Sequence, residues 1–401
     1  MAHKDLSHLT KEQIKDLIKR YYNHKKMVDL LEEFDINVHP NTLIKLFPPI
    51  IHNELFCKYC LDVNLVSKLE SRNHANCNVV HFEKFCPACD HRDNSHCPCS
   101  HCKDIRKQKK QAEEENKRNI LMQTFLSTNI DIPAVEELTL KDAVYLISTA
   151  EHSATKDFEF IKPYLEGPTI NSLVPDEELI YDIIEHLNRR GFIQINPLKN
   201  NLDVFKFDLN DKVVGYYRDK LLWEFLPNMD IKEKIEYLNL ILNITKGEWS
   251  FSWKNDVIEM WELITKYECL ENLKCLLEEH SFPEMDQHAE KQALSTFIDL
   301  FEDFSVGQIF NLSWQAVRDT KYESSLEKTS YYRYNKDNIA TIIINRIQPI
   351  ALRIIANRWA IKNSKREYCT PQTILSSVFF DLFLDRNKEY FENVIPSEYS
   401  K

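Results

Sequence analysis

Apolar residues recur every three or four positions along most of this chain, which predicts a mainly α-helical protein. Near the N-terminus, Leu17 and Tyr21 share one helical face, and Thr10 with Gln13 forms a capping box that starts the helix. The same spacing fills residues 228–401, where short polar segments separate the helices. We therefore expect helices to form most of the structure.

Residues 1–50 carry the pattern of three short helices. A second helix is predicted over about residues 26–34, and Pro40 opens a third that ends before Pro48. The progression Leu-Thr-x-Glu-Gln … Leu-x-x-Glu-Phe-Asp-Ile-x-x-x-x-x-Thr-Leu resembles the helix-turn-helix of bacterial transposases and resolvases. This resemblance implies DNA contact by the polar residues of the third helix, which are Asn41, Thr42 and Lys45. Because the rest of that helix is apolar, a three-helix unit that contacts protein is the alternative.

A winged-helix-like unit is predicted over residues 133–227. Thr139 caps a helix that runs through Ala150, and a second helix is expected near residues 157–165. Residues 176–190 form an amphipathic helix that Gly191 ends.

Two alternating segments follow that amphipathic helix. Ile193 and Ile195, and then Phe205 and Phe207 after an Asn-rich tip, predict a hairpin that resembles a wing. The helix itself carries five carboxylates, which repel a phosphate backbone. We therefore expect this unit to pack against protein rather than DNA.

Eight of the 11 cysteines lie between Cys57 and Cys102, mostly in pairs with C-x-x-C spacing, which predicts two structural zinc ions. Sequential pairing gives two ligand sets, Cys57, Cys60, His74 and Cys77, and Cys86, Cys89, Cys99 and Cys102. Crossed pairing, in which the first cysteine pair joins Cys86 and Cys89, is also possible. Cys97 can replace Cys99, and His81, His91, His96 and His101 are spare donors.

Only five glycines are present and they lie far apart, which excludes the clustered glycines of nucleotide-binding loops. We therefore expect no nucleotide cofactor. The sequence also has no H-E-x-x-H and no G-x-S-x-G motif, and we identify no catalytic residue. Residues 90–96, which contain His, Asp and Asn, could hold a hydrolytic metal, but a polar loop explains the same composition.

Net charge is −11, yet residues 315–366 contain 11 Lys and Arg against 4 Asp and Glu. We assign candidate nucleic-acid contacts to this basic segment, namely Arg346, Arg353, Arg358, Lys362 and Arg366. An ordinary solvated helical surface is the alternative interpretation.

Two apolar segments lie near the C-terminus. Residues 339–361 are interrupted by Arg346, Pro349 and Arg353, so we predict no membrane span. A late helix that begins after Thr370 has an apolar face, which favours either burial in the domain core or a homodimer interface. The polar N-terminus predicts no signal peptide.

The predicted order is a helix-turn-helix-like unit (1–50), a twin zinc module (51–102), a charged helical linker (103–132), the winged-helix-like unit (133–227) and a helical domain (228–401). This order resembles proteins of bacterial mobile elements and phage-related systems. We expect a non-enzymatic, cytoplasmic, zinc-containing protein that associates with DNA. A protein-interaction scaffold with purely structural zinc is the second hypothesis, and a diverged metal-dependent nuclease is the third.

Overall fold

The computed structural model describes residues 3–72, 83–125, 131–163, 172–326, 339–366, 369–386 and 389–396. The chain divides into two compact units, residues 1–116 and 117–401, which we call the N-terminal and C-terminal units. Helices predominate in the part of the chain that is described, so the prediction of a mainly α protein is confirmed.

The N-terminal unit begins with three short helices and continues with a small sheet. Its elements are α1 (Lys11–Tyr22), α2 (Met27–Glu33), α3 (Leu43–Leu46), β1 (Ile50–Phe56), β2 (Asn64–Ser67), β3 (Lys84–Phe85) and the start of α4 (Ser100–Phe125). Thr10 and Gln13 form the capping box of α1. A separate apolar core joins α1, α2 and α3 through the fully buried side chains of Leu17, Leu30 and Leu43.

The third helix is only one turn long. A 3-10 turn at Pro40–Thr42 leads into α3, which ends at Leu46 because Phe47 is extended and Pro48 and Pro49 follow. Leu43 and Leu46 point into the core, whereas Lys45 is exposed.

The three strands form one antiparallel sheet in the order β1-β2-β3. Ile50 pairs with Ser67, and Val66 pairs with Phe85. Since β1 and β3 are both antiparallel to β2, they run in the same direction and end at the same edge of the sheet. This edge carries the cysteine pairs described below.

The C-terminal unit combines long helices with two small sheets. Its elements are α5 (Leu140–Ser153), β4 (Phe160–Ile161), α6 (Glu177–Arg189), β5 (Ile193–Ile195), β6 (Phe205–Phe207), β7 (Val213–Tyr216), β8 (Trp223–Phe225), α7 (Ile231–Thr245), α8 (Phe251–Glu279), α9 (Gln287–Leu300), α10 (Val306–Leu326), α11 (Ile339–Asn357), α12 (Ile374–Ser377), a π-helix (Val378–Phe383) and α13 (Glu389–Glu392).

Two details of residues 133–227 differ from the prediction. Phe160 and Ile161 form β4 where a second helix was expected, because the apolar pair continues a sheet in the order β4-β8-β5. The β6 strand pairs with β7, while β5 pairs with β8, so the predicted hairpin of β5 with β6 is wrong. Asp211, with φ of 58°, turns the chain between β6 and β7.

Helix α8 lies at the centre of the C-terminal unit and packs against α5, α9 and α10. Trp253 and Trp261 are 3% and 2% exposed, and the indole nitrogen of Trp253 donates to the Leu138 carbonyl oxygen at 2.6 Å. Residues from both sides of the predicted boundary at 227/228 contribute to the same core.

The two apolar C-terminal segments are part of this core. Helix α11 is long and apolar enough to cross a membrane by length and composition, but Ile343, Ile347 and Ala351 lie fully buried within the unit. The late segment that starts at Ile374 buries Leu375, Phe379 and other apolar residues. Its main apolar face is therefore not available as a dimer interface.

Candidate metal centre

The sheet of the N-terminal unit brings two cysteine pairs together. Cys57 directly follows β1 and Cys86 directly follows β3, and these strands end at the same sheet edge. The ligand atoms of four cysteines lie within 4.8 Å of one another, and we call this group cluster 1: Cys57, Cys60, Cys86 and Cys89.

Each pair sits in a turn of the same geometry. The Cys57 N–H donates to the Val63 carbonyl oxygen at 2.9 Å, and the Cys86 N–H donates to the His91 carbonyl oxygen at 2.8 Å. In both turns the residue after the second cysteine has positive φ, which is 50° at Leu61 and 55° at Asp90. This left-handed residue reverses the chain so that both sulfurs of a pair face one point.

A second group forms beside the first at the start of α4, and we call it cluster 2: His91, Cys97, Cys99 and Cys102. His91 follows the second turn of cluster 1, and Cys102 lies in the first turn of α4. The Cys102 N–H donates to the Cys99 sulfur at 3.4 Å, so Cys99 caps the helix N-terminus. His91, Cys97 and Cys99 are buried, at 4%, 0% and 3% exposure.

The spacing of the donor atoms fits tetrahedral coordination. Sulfurs at about 2.3 Å from a tetrahedral zinc lie about 3.8 Å apart, and a sulfur and an imidazole nitrogen lie about 3.5 Å apart. The Cys57 and Cys89 sulfurs are separated by 3.7 Å. The His91 Nδ1 atom lies 3.2, 3.6 and 3.4 Å from the sulfurs of Cys97, Cys99 and Cys102. Both clusters can therefore hold a metal ion and are compatible with zinc.

Burial and hydrogen bonding separate the pKa values of the thiols. Burial raises the pKa of Cys99 to about 11 and that of Cys89 as well. At Cys97 burial acts in the same direction, but backbone N–H groups, including that of Arg92 at 3.1 Å, lower the pKa to about 6. Because zinc binds cysteine as the thiolate, a metal ion that enters either cluster displaces the protons that its thiols carry.

Loop side chains fix cluster 2 from outside. Arg106 of α4 donates to the carbonyl oxygens of Ser95 at 3.1 Å and Cys97 at 2.6 Å. Glu83 accepts from Arg92 at 2.9 Å and from Asn94 at 2.7 Å. These contacts hold residues 92–97 in place around His91, and supporting contacts of this kind orient metal ligands.

The structure groups the ligands in the crossed manner, not sequentially. Cys86 and Cys89 lie with Cys57 and Cys60, whereas Cys99 and Cys102 lie with His91 and Cys97. The predicted sequential pairing is therefore wrong. The strands β1 and β3 end at the same sheet edge and bring their cysteine pairs together, whereas Cys99 and Cys102 lie at the start of α4 in cluster 2. The predicted ligands His74 and Cys77 lie outside the described residues.

Two members of cluster 2 were not in the predicted ligand sets: the sequence analysis gives Cys97 only as a replacement for Cys99 and His91 only as a spare donor. The signal was Cys97-x-Cys99-x-x-Cys102, which puts three sulfurs near one helix start and requires one more donor. His91, two residues after a cysteine of cluster 1, supplies it. His91 lies within residues 90–96, so this polar segment contributes a donor to cluster 2.

The candidate nucleic-acid residues near the N-terminus lie on the 3-10 turn and α3. Asn41 and Lys45 are exposed, and the Thr42 hydroxyl donates to the His39 carbonyl oxygen at 2.7 Å. Exposure alone does not test whether these residues contact DNA, so that contact stays a prediction.

The candidate residues in the basic C-terminal segment have different environments. Arg353 and Lys362 are exposed and line one cavity of about 390 Å³ beside Trp359, and Arg358 is exposed just after α11. Arg346 forms an ion pair with Glu323.

Arg366 is corrected, because it belongs to a buried ion pair. Its guanidinium donates to the Glu268 carboxylate at 2.7 Å and to the Tyr390 hydroxyl, and it stacks on the Phe391 ring. The Glu268 side chain is 2% exposed, so this cation neutralises a core carboxylate.

Comparison with known proteins gives one informative match. Over 62 residues the chain is 52% identical to an uncharacterized protein of Rickettsia conorii, a match that covers 16% of this chain and 75% of that protein. The chain belongs to the family of this rickettsial protein. No protein-family model matches the chain, and no solved structure matches it significantly. The rickettsial relative is uncharacterized, so the comparison does not indicate an activity for this chain.

Proposed function

We propose that this protein is a non-enzymatic, zinc-containing protein that associates with nucleic acid through its N-terminal unit. The observation that carries the proposal is a basic stripe at the start of α4. Lys103, Lys107 and Lys110 are spaced by four and three residues, so they share one helical face, and all are exposed. Cations on one helix face attract a phosphate backbone.

The metal clusters support this assignment by fixing where the stripe begins. Cys99 caps α4 and Cys102 lies in its first turn, so zinc in cluster 2 would anchor the helix immediately before Lys103. Four protein donors in each cluster leave no position for a reactive water, which is the pattern of structural zinc. The thiols in both clusters also fit a reducing, cytoplasmic environment.

The proposed unit organisation follows the sequence. Residues 1–50 would be helix-turn-helix-like, 51–102 the twin zinc module and 103–132 the charged linker. For residues 133–227 the winged-helix-like assignment draws support from the sheet order β4-β8-β5, in which β5 and β8 follow α6 and the β6–β7 hairpin is inserted between them in the chain. Residues 228–401 would form the helical domain.

The test is a salt titration of binding to a fluorescent 30-base-pair DNA of mixed sequence and to a single-stranded RNA of equal length. We expect the triple variant Lys103→Glu, Lys107→Glu, Lys110→Glu to weaken binding at least tenfold at low salt. The slope of log affinity against log salt should fall by about 3 on DNA, because each phosphate contact contributes about 0.9.

The matched control reverses three exposed lysines of the C-terminal unit, Lys232, Lys246 and Lys254, with the same change in net charge. Its affinity should change much less than that of the α4 variant. Equal losses in both variants would mean that net charge, not the α4 stripe, governs binding. A double variant Arg353→Ala, Lys362→Ala tests the cavity beside Trp359 in the C-terminal unit in the same way.

A protein-interaction scaffold is the second candidate, and the exposed face of α6 favours it. Glu178, Asp182 and Glu185 are exposed there, which disfavours phosphate contact. Arg346 and Arg366 are both engaged in ion pairs. If the full-length chain binds neither probe at low salt, the scaffold becomes the better proposal.

A further inference from the structure

A third group of metal-ligating side chains lies in the C-terminal unit. Cys275 and Glu279 are one turn apart at the end of α8, and the Cys275 sulfur lies 3.9 Å from a Glu279 carboxylate oxygen. Cys369, which precedes α12, completes the group with its sulfur bonded to that of Cys275. This is the disulfide of two residues separated by 94 positions, with Cα atoms 6.4 Å apart.

A cavity of about 510 Å³ opens beside this disulfide and is acidic. Glu271, Glu278, Glu284 and Glu290 line it together with both cysteines. Among the described residues that line it, the one cation is Lys274, which bridges Glu290 at 2.9 Å and Asp176 at 2.8 Å. The remaining carboxylates therefore give the cavity a negative field, which attracts a divalent cation.

The same chain contains two clusters that need reduced thiols to bind metal. Conditions that keep those cysteines reduced also act on an accessible disulfide. Cys369 is exposed whereas Cys275 is 7% exposed, so a small thiol reagent reaches the Cys369 sulfur first. The disulfide and the thiol clusters thus respond to the same reductant.

We propose that Cys275, Cys369 and Glu279 form a third zinc site, which opens when the Cys275–Cys369 disulfide is reduced. Two thiolates and a carboxylate are ordinary zinc donors, and water can take the fourth position. This proposal does not depend on nucleic-acid binding.

The chemistry balances with a cellular dithiol as the reductant. One thiolate of the dithiol attacks the Cys369 sulfur, the sulfur–sulfur bond breaks, and Cys275 leaves as a thiolate that takes up a proton. The second thiol of the dithiol then displaces Cys369, so the reductant becomes a disulfide and two electrons pass to the protein. Zinc binding afterwards releases the two thiol protons to solvent.

The test measures zinc per chain in the full-length protein after treatment with a phosphine reductant, addition of zinc chloride and desalting. We expect reduced wild type to hold one zinc more than reduced Cys369→Ser. Without the reductant, the wild type and the variant should hold equal amounts. Because each comparison is a difference, the zinc of clusters 1 and 2 cancels.

Two further variants keep the test decisive if Cys369→Ser folds poorly. Glu279→Gln changes an exposed side chain and should weaken the additional zinc at least tenfold in a competition titration with a chelating dye. Cys269→Ser, a buried cysteine outside all three groups, should keep it. Equal zinc in reduced wild type, Cys369→Ser and Glu279→Gln would overturn the third site while leaving the DNA titration unaffected.

Discussion

The hydroxyl of Tyr59 lies 3.5 Å from the sulfur of Cys102, and this contact joins the two metal clusters of the N-terminal unit. Tyr59 belongs to the turn that carries Cys57 and Cys60, whereas Cys102 is a ligand of cluster 2. The Tyr59 ring also packs edge-on against His91 at 4.9 Å. The hydrogen bond between Tyr59 and Cys102 raises the pKa of Tyr59 to about 12. The two clusters are therefore joined by side-chain contacts as well as by the chain that runs between them.

The first prediction concerns this coupling. We expect Cys86→Ser to remove the zinc of cluster 1 and also to weaken that of cluster 2, because the Cys86 N–H and the His91 carbonyl oxygen close one turn. Elemental analysis of the purified variant should therefore give less than one zinc in the N-terminal unit. Tyr59→Ala should lower the affinity of cluster 2 while preserving every ligand.

The control for this coupling is Tyr59→Phe, which keeps the ring contact with His91 and removes only the hydroxyl. We expect its zinc affinity to fall between those of the wild type and Tyr59→Ala. If Cys86→Ser keeps one full zinc at wild-type affinity, the clusters fold independently and the coupling is wrong.

The second prediction concerns metal removal. Within the described residues 50–72 and 83–99 few large apolar side chains are buried, and Ile51, Phe56 and Leu61 are 60%, 56% and 71% exposed. We therefore expect metal binding to supply much of the folding free energy there. We expect a strong chelator to abolish hydrogen-exchange protection in β1, β2 and the start of α4.

The same experiment contains its own control. The central helix α8 is buried in an apolar core of the C-terminal unit. Its amides should stay protected after chelation, because that core needs no metal in clusters 1 and 2. Unchanged protection of β1 and β2 in chelator would show that the sheet is stable without metal.

The sequence predicted local features well where short-range chemistry determines them. The capping box at Thr10 and the cap of α5 at Thr139 each depend on residues three positions apart, and the structure has both. The presence of metal-binding cysteines follows from C-x-x-C spacing, which is also local.

What the sequence could not give was long-range pairing. Grouping Cys86 with Cys57 depends on β1 and β3 ending at one sheet edge, which no local spacing encodes. Likewise, a basic residue such as Arg366 looks like a surface cation until its partner Glu268, distant in sequence, is placed beside it. The local pattern around Phe160 predicts a helix, whereas the residue forms a strand whose partner β8 lies far along the chain.

The third prediction tests the buried pair of Arg366 and Glu268. We expect Arg366→Met to destabilise the C-terminal unit by about 3–5 kcal/mol, because it leaves a carboxylate unpaired in the core. The double variant Glu268→Leu, Arg366→Met should recover most of that loss, since removing both charges removes the unpaired group. Urea unfolding measures both, and nucleic-acid affinity should not change in the double variant. A phosphate-binding role for Arg366 would instead show as reduced affinity in a stably folded double variant.

The fourth prediction concerns acid stability and rests on Asp142, a fully buried residue of α5. Burial by itself raises the pKa of this carboxyl, but hydrogen bonds from His186 at 2.7 Å and from Arg190 and the Thr139 N–H lower it to about 2. The folded pKa lies below the ordinary value of 3.8, so the stabilisation is complete above pH 4 and is lost as pH falls towards 2. At about 1.4 kcal/mol per pKa unit, it amounts to about 2 kcal/mol.

We therefore expect Asp142→Asn to lower the free energy of unfolding by about 2 kcal/mol at pH 7 and by much less at pH 2. Urea unfolding between pH 2 and pH 7 measures the difference. Asp299→Asn is the matched control, because it removes an exposed carboxylate from α9. Its effect should be small at every pH. A loss for Asp142→Asn that is the same at pH 2 and pH 7 would mean that shape, not charge, makes this residue stabilising.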